Sequence, residues 1–397
     1  MKKINSIISV FLICVCPQVY GQNVQFESSL EAAFKKAQTE KKLVFVEYYN
    51  STCTICISIE PLFNDPKISS FYNEHFVSYK MNTRDGLKDD ETAFLDDQGF
   101  RFQGVPYFLF FDAQEDFLHF SGAKADVDYL LQIAKTALNP NERSASLIEK
   151  YNNGDRSIRT LYGYINLLQN FKESPVLNTV SAELFEVYPK QNLHTHQSFL
   201  ILKNAVFSID NGFFKYWYEN RELLMGMGKG SLKNQEVKIL ENILLNELKG
   251  DHKNQWSLSK IREVKKMIST LSISDDPDEF LWEVEVQALH KEQKTVEVKK
   301  ILKQQTEKNK SNIYGTIYIL NFFMELTNEK SIFENVYHLV QQQLKSNHSP
   351  EVIADLMILE VQYFKKMGQN EHYQSALKKT KEFFTKNQLD ASALESL

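Results

Sequence analysis

Residues 43–49 read LVFVEYY and run straight into Asn50-Ser51-Thr52-Cys53-Thr54-Ile55-Cys56. The first seven residues are β-branched and aromatic, the pattern of a buried strand. A helix is expected to follow from about Thr54. A Cys-x-x-Cys at a helix start has a specific chemical use. The first sulfur sits where free N–H groups and the helix dipole favour a thiolate. The second lies about one turn later, within reach of a disulfide.

Outward from this stretch, residues 24–138 alternate helical and strand patterns. Ser28 and Glu31 have capping-box spacing, and Leu30, Ala33, Phe34 and Ala37 form one helical stripe. Asp65-Pro66 reads as a helix start, with Asp as the cap and Pro in the first turn. Strands are expected over 76–81, 107–111 and 117–120, the last two forming a hairpin, and a helix over 126–138. Strand–helix–strand followed by hairpin–helix implies a mixed sheet with helices on both faces.

The N-terminus reads as an address. Lys2 and Lys3 precede an apolar run from Ile4 to Val15, and Val19-Tyr20-Gly21 offers a cleavage site. This is the layout of a signal peptide over residues 1–21, too short to span a bilayer comfortably. Ile13 and Val15 precede Cys14 and Cys16, which disfavours lipidation at either. Cleavage would move the formal charge from -5 by two to -7 and leave Cys53 and Cys56 as the sole cysteines. One close pair is no staple framework for a chain of 397 residues. The acidic balance argues against nucleic acid as a partner.

After Pro140 the strand signals fade. Ile158, Leu161, Tyr162, Ile165 and Leu168 keep helical spacing, as do Leu240, Ile243 and Leu244. Ile313–Leu326 and residues 352–364 are apolar nearly all round, which predicts buried helices, and polar residues such as Asn321 and Glu360 argue against membrane spans. Tyr151 with Gly154, and Tyr363 with Gly368, mark candidate hairpin turns. The expected organisation is a signal peptide, an α/β domain over 22–139 and an all-helical domain over 140–397. No clean 34-residue period is present, so a degenerate tetratricopeptide-like array and an irregular bundle both stay open.

Other chemistry fits less well. A structural zinc site lacks its second ligand pair, His194-Thr195-His196 being the only close histidines. A bridge between Cys53 and Cys56 would close too small a loop to stabilise the fold much. Residues 225–231 (MGMGKGS) lack the Ser or Thr after lysine and the preceding strand of a phosphate loop, and read as a helix–helix turn. His75 and His119, among aromatics, read as packing or surface residues. Trp217, Trp256 and Trp282 read as core or groove-lining. Asp89, Asp90, Glu91, Asp96 and Asp97 lack a calcium-loop pattern and read as a solvated helix face.

Four features together resemble the thioredoxin-fold family, in particular exported bacterial thioredoxin-like proteins, over about residues 24–138. They are Cys53-Thr54-Ile55-Cys56 after its strand, Pro61 five residues later, Gly104-Val105-Pro106, and Ser121-Gly122-Ala123. In the family these are the redox pair, a proline kink in its helix, a cis-proline segment facing the pair, and a glycine bend after the last strand. The resemblance implies that Cys53 attacks a client disulfide and Cys56 resolves the mixed disulfide. Glu47 falls at the family's buried acid and would take the proton from Cys56; the alternative is a strand residue facing solvent. Val105 would pair with an extended client segment beside Pro106, with Tyr48, Tyr49 and Tyr107 lining the groove or simply packing.

The sequence departs from the family at Thr52, Thr54-Ile55 and Ile57, residues that tune thiol acidity, so the redox direction stays open. The expectation is a periplasmic thiol–disulfide oxidoreductase with cysteine-containing client proteins and an upstream redox partner, needing no cofactor or metal. Its mature form would keep no membrane span. The alternative is a non-catalytic binding module whose helical array recruits partner proteins.

Overall fold

The computed structural model describes residues 23–172 and 175–395. The expected signal peptide, with Cys14 and Cys16, lies outside the described residues. The chain forms two compact units, one up to Ile239 and one from Leu240.

The first unit opens with α1 (Leu30–Glu40), β1 (Leu43–Tyr49), α2 (Thr54–Ile59) and a 3-10 turn over Glu60–Asn64. There follow α3 (Pro66–His75), β2 (Phe76–Asn82), α4 (Asp89–Asp97), β3 (Tyr107–Phe111), β4 (Phe117–Gly122) and α5 (Val127–Leu138). The strands make one mixed sheet in the order β2-β1-β3-β4. β1 runs parallel to β2, which requires the crossover through α2 and α3, and antiparallel to β3, which pairs with β4 as a hairpin.

Strand alternation sends successive side chains to opposite faces, and both faces are covered. Val44 and Val46 join Leu30, Phe34 and Ala37 of α1 and Phe94 and Leu95 of α4 in one core. Phe45 points the other way, into a core with Ile59, Phe63, Tyr72, Leu130 and Ile133. There its ring lies 4.8 Å from Phe108 and 4.9 Å from Tyr72, centroid to centroid. The expected strands and helices are all present, with β2 one residue longer and β4 two residues longer than the sequence suggested.

Local chemistry explains most boundaries. Asp65 caps α3 by accepting from the Lys67 N–H, with Pro66 in the first turn, as expected. The capping box expected at Ser28 and Glu31 does not form: the cap falls one residue later, at Ser29, whose backbone is extended and whose hydroxyl accepts from the Ala32 N–H. Gly122 is the last residue of β4, paired with Tyr107, rather than a bend beyond the strand. The face of α4 is not uniformly solvated either. Glu91 is buried and accepts from the Tyr79 hydroxyl and from the Lys88 N–H. Packing of α4 on the sheet turns that one acid inward while Asp89 and Asp90 stay exposed.

Among the described residues this unit continues with helices α6 (Ala145–Asn152), α7 (Ile158–Leu168), α8 (Leu177–Val187), α9 (His196–Ala205) and α10 (Gly212–Glu219). The first of them is tied to the sheet through His119 of β4, whose Nδ1 lies 2.7 Å from Ser144 Oγ just before α6. Beyond α7, Phe171 forms a β-bridge with Phe100. Arg101 N donates to Asn170 O at 2.7 Å, and Lys172 N to Gly99 O at 2.8 Å. Trp217 is fully buried and donates to Ser198, while residues 225–231 lie in the irregular connection after α10, ending in a 3-10 turn from Gly230, in keeping with the helix–helix connection expected there.

Helix α11 (Glu236–Lys249) spans the division. The second unit continues with α12 (Leu258–Thr270), α13 (Asp278–Lys291), α14 (Thr295–Lys308) and α15 (Ile313–Leu326). It ends with α16 (Lys330–Gln343), α17 (Pro350–Lys366), α18 (Asn370–Asn387) and a short 3-10 turn, Ala391–Leu394. From α12 on, each helix packs against the next, and α14 also meets α16 and α15 meets α17. Gly154 and Gly368 take positive φ at the turns after α6 and α17, where an L side chain would be strained. α15 is less buried than its apolar sequence suggested: Tyr314 and Tyr318 are exposed, Tyr318 donating to Glu283. Among the described residues no helix is long and apolar enough to cross a membrane.

Candidate active site

Cys53 is the N-cap of α2. Its backbone is extended, and its sulfur accepts from the Cys56 N–H at 3.5 Å. The first helical bond runs from Ile57 N to Cys53 O at 2.9 Å. α2 lasts six residues and then tightens into the 3-10 turn that carries Pro61, which has no N–H to continue an α-helix.

The loop before the pair is held from two sides. Asn50 Oδ1 accepts from both the amide and hydroxyl of Thr52, and Asn50 O accepts from Cys53 N at 3.0 Å. Asn82, at the end of β2, accepts from Ser51 N and donates to the Ser51 hydroxyl. Cys53 is thus fixed at the surface, half-buried, while Cys56 is 2% exposed beneath it. Both thiols are free.

The two sulfurs have opposite acidities. Burial works against the Cys53 thiolate, but the N–H groups of Cys56 and Ile55 and the Cys56 thiol donate to its sulfur. The balance holds the Cys53 thiol below its ordinary value. Cys56 is pushed up to about 11, chiefly by burial, with Cys53 and the charge of Glu47 adding to the effect.

Glu47 shares the sheet face of Phe45, the face that packs α2 and α3, and is fully buried. The solvent-facing alternative for Glu47 is therefore overturned. Neither of its oxygens has a hydrogen-bond partner, and burial raises its carboxyl to about 7. Lys80, its cross-strand neighbour on β2, approaches Oε2 at 3.5 Å and partly offsets that rise. Lys80 also donates to both oxygens of Glu60, at 2.6 and 2.5 Å, and lies over the rings of Phe26 and Phe63. A depression of about 500 Å³ opens beside Cys56, lined by Tyr49, Ser51, Ile57, Glu60, Pro61 and Asn64.

The Val105–Pro106 peptide bond is cis. Pro106 is buried immediately before β3, and Val105 is half-exposed. Tyr49 lines the depression, but Tyr48 and Tyr107 pack with Phe102 on the opposite core, their ring centroids 5.1 and 4.6 Å from it. Lys80, Glu60, Asn50 and Asn82 were not singled out from sequence. Lys80 had a signal, a lone cation inside the strand pattern FVSYKMN, but only the register with β1 pairs it with Glu47.

Among the described residues no group of three or more His, Cys, Asp or Glu side chains could hold a metal ion. No protein-family model matches the chain, and neither does any curated protein.

Proposed function

We propose that the first unit is a thioredoxin-like thiol–disulfide oxidoreductase and that the protein works outside the cytoplasm. The observation that carries this reading is the split between a half-buried Cys53, its thiol held below the ordinary value, and a buried Cys56, its thiol pushed up to about 11, with a buried carboxyl near 7 close by. The cis-Pro106 and the strand–Cys-x-x-Cys–helix order are in keeping with it.

In this reading the Cys53 thiolate attacks one sulfur of a client disulfide. The other client sulfur leaves as a thiolate and takes a proton, leaving a mixed disulfide on Cys53. The Cys56 thiol then gives its proton to the Glu47 carboxylate and attacks Cys53 Sγ, expelling the second client sulfur. The client gains two electrons, and the Cys53–Cys56 dithiol becomes a disulfide. An upstream dithiol donor restores it; run in reverse, the same steps oxidise a client dithiol. The side chains of Ile55 and Ile57, 48% and 54% exposed, offer an apolar rim to a protein client rather than a small thiol.

The test is a trapping pair. Cys56→Ser should accumulate mixed disulfides with client proteins, and Cys53→Ser should accumulate none. Reduction of a protein disulfide at the wild-type rate by both variants would overturn the assignment. A Cys56→Ser variant that traps nothing would instead support the reading as a binding module, which the unusual Thr54-Ile55 dipeptide also allows.

A further inference from the structure

The second unit holds a groove of about 640 Å³ between α14 and α16. Val296, Lys299, Lys300 and Lys303 recur at helical spacing along one face of α14, and His338 and Leu339 face them from α16. Leu302 forms part of the floor and is 1% exposed, whereas Val296 at the mouth is 78% exposed.

Positive charge lines one wall of this groove. Lys265, Lys294, Lys308 and Lys310 each sit within 2.7 Å of a carboxylate. Lys299, Lys300 and Lys303 make no ion pair among the described residues. The acid on the groove wall, Glu307, is already engaged by Lys310 at 2.7 Å. The wall is therefore a row of three lysines, of which only Lys303 feels a nearby acid, Glu307, beside an uncovered valine.

We propose that this groove binds an acidic, amphipathic peptide segment of a partner protein. Carboxylates would pair with Lys299, Lys300 and Lys303 while an apolar side chain covers Val296 and reaches toward Leu339. The volume suits a few side chains of an inserted segment. A lipid surface fits less well, because a broad flat face cannot follow a floor recessed between two helices. Nucleic acid fits less well because three lysines release few counterions. The inference does not depend on the redox reading of the first unit.

The experiment uses the full chain carrying Cys53→Ser, so that disulfide capture cannot contribute. The probe is a fluorescein-labelled helical peptide of Glu and Leu heptads, compared with the same peptide carrying Lys for Glu. Anisotropy should show binding of the Glu peptide alone, weakening as salt rises. The triple variant Lys299→Glu, Lys300→Glu, Lys303→Glu should weaken it at least about tenfold. Its melting temperature should fall by only a few degrees, since the three lysines make no ion pair and the exposed Lys303 feels only the exposed Glu307. Val296→Ser, at a side chain already in solvent, should weaken binding several-fold by removing the apolar contact. Equal binding of both peptides, no binding of either, or binding indifferent to the triple variant would overturn the proposal. Lysine-dependent sedimentation with phosphatidylglycerol vesicles, without peptide binding, would overturn it in favour of a membrane role.

Discussion

Replacing Glu47 by Gln separates two effects that the buried carboxyl couples. The group titrates near 7 in the fold rather than at its ordinary 4.5. At 1.36 kcal/mol per pH unit, that difference is worth about 3 kcal/mol. The folded carboxyl holds its proton more tightly than the unfolded one, so the Glu47 contribution to stability falls as pH rises from 4.5 through 7. Gln is similar in shape and cannot ionise; the contact it forgoes is the 3.5 Å approach of Lys80, whose pull is already included in the raised value. Urea unfolding at pH 8 should find the variant more stable, by up to about 3 kcal/mol, with the advantage gone near pH 4.5. Activity should move the other way. A Cys56 thiol near 11 is almost wholly protonated at pH 7, so resolution needs a base. Without it the mixed disulfide should decay about a hundredfold more slowly, read by acid quench and mass spectrometry. The reasoning fails if Glu47→Gln keeps the wild-type decay rate and its stability difference does not change with pH.

Alkylation offers a check on the thiols alone. Iodoacetamide at pH 7 should label Cys53 first and leave Cys56 untouched until the chain is unfolded; peptide mapping showing Cys56 labelled first would contradict the assigned acidities. Burial lowers His119 to about 4, so the fold excludes its charged form. The His119 contribution to stability is fully present above 6.5 and falls by up to about 3 kcal/mol as pH drops toward 4, opposite in sign to that of Glu47. In urea melts His119→Phe should therefore gain on the wild type by that amount as pH is lowered through this window. Phe45→Ala removes a fully buried ring in contact with Phe63, Tyr72, Phe108 and Phe110. It should cost about 3–5 kcal/mol in the same melts, and a loss under 1 would show that the neighbouring rings close the space.

What the sequence made legible is what short-range chemistry controls. The strand LVFVEYY, the helix that opens at Cys53, and the Asp65-Pro66 start each rest on residues within a turn or two of one another. Burial decided by distant partners was harder to read. Glu91 turns inward because Tyr79, on another element, offers it a hydroxyl. Lys80 matters because parallel register sets it beside Glu47. Tyr48 and Glu47 are adjacent in sequence yet serve opposite faces, and which face carries α2 depends on the crossover, not on composition. The shift of the first helix cap from Ser28 to Ser29 shows the limit of local reading, since two neighbouring serines offer the same oxygen.

The bridge between Phe100 and Phe171 bears on how the molecule can be taken apart. A gene fragment ending after α5 would look complete, because every strand and the thiol pair would be inside it. It would nevertheless leave Arg101 N and Gly99 O without their partners, uncover the Phe100 ring that stacks on Phe171 at 5.1 Å, and strip His119 of Ser144. Such a fragment should aggregate or be degraded when expressed, whereas one continuing past Lys172 keeps those contacts. The Cys53–Cys56 site is therefore no portable cassette: any transplant or chimera must carry the first helices beyond the sheet along with it.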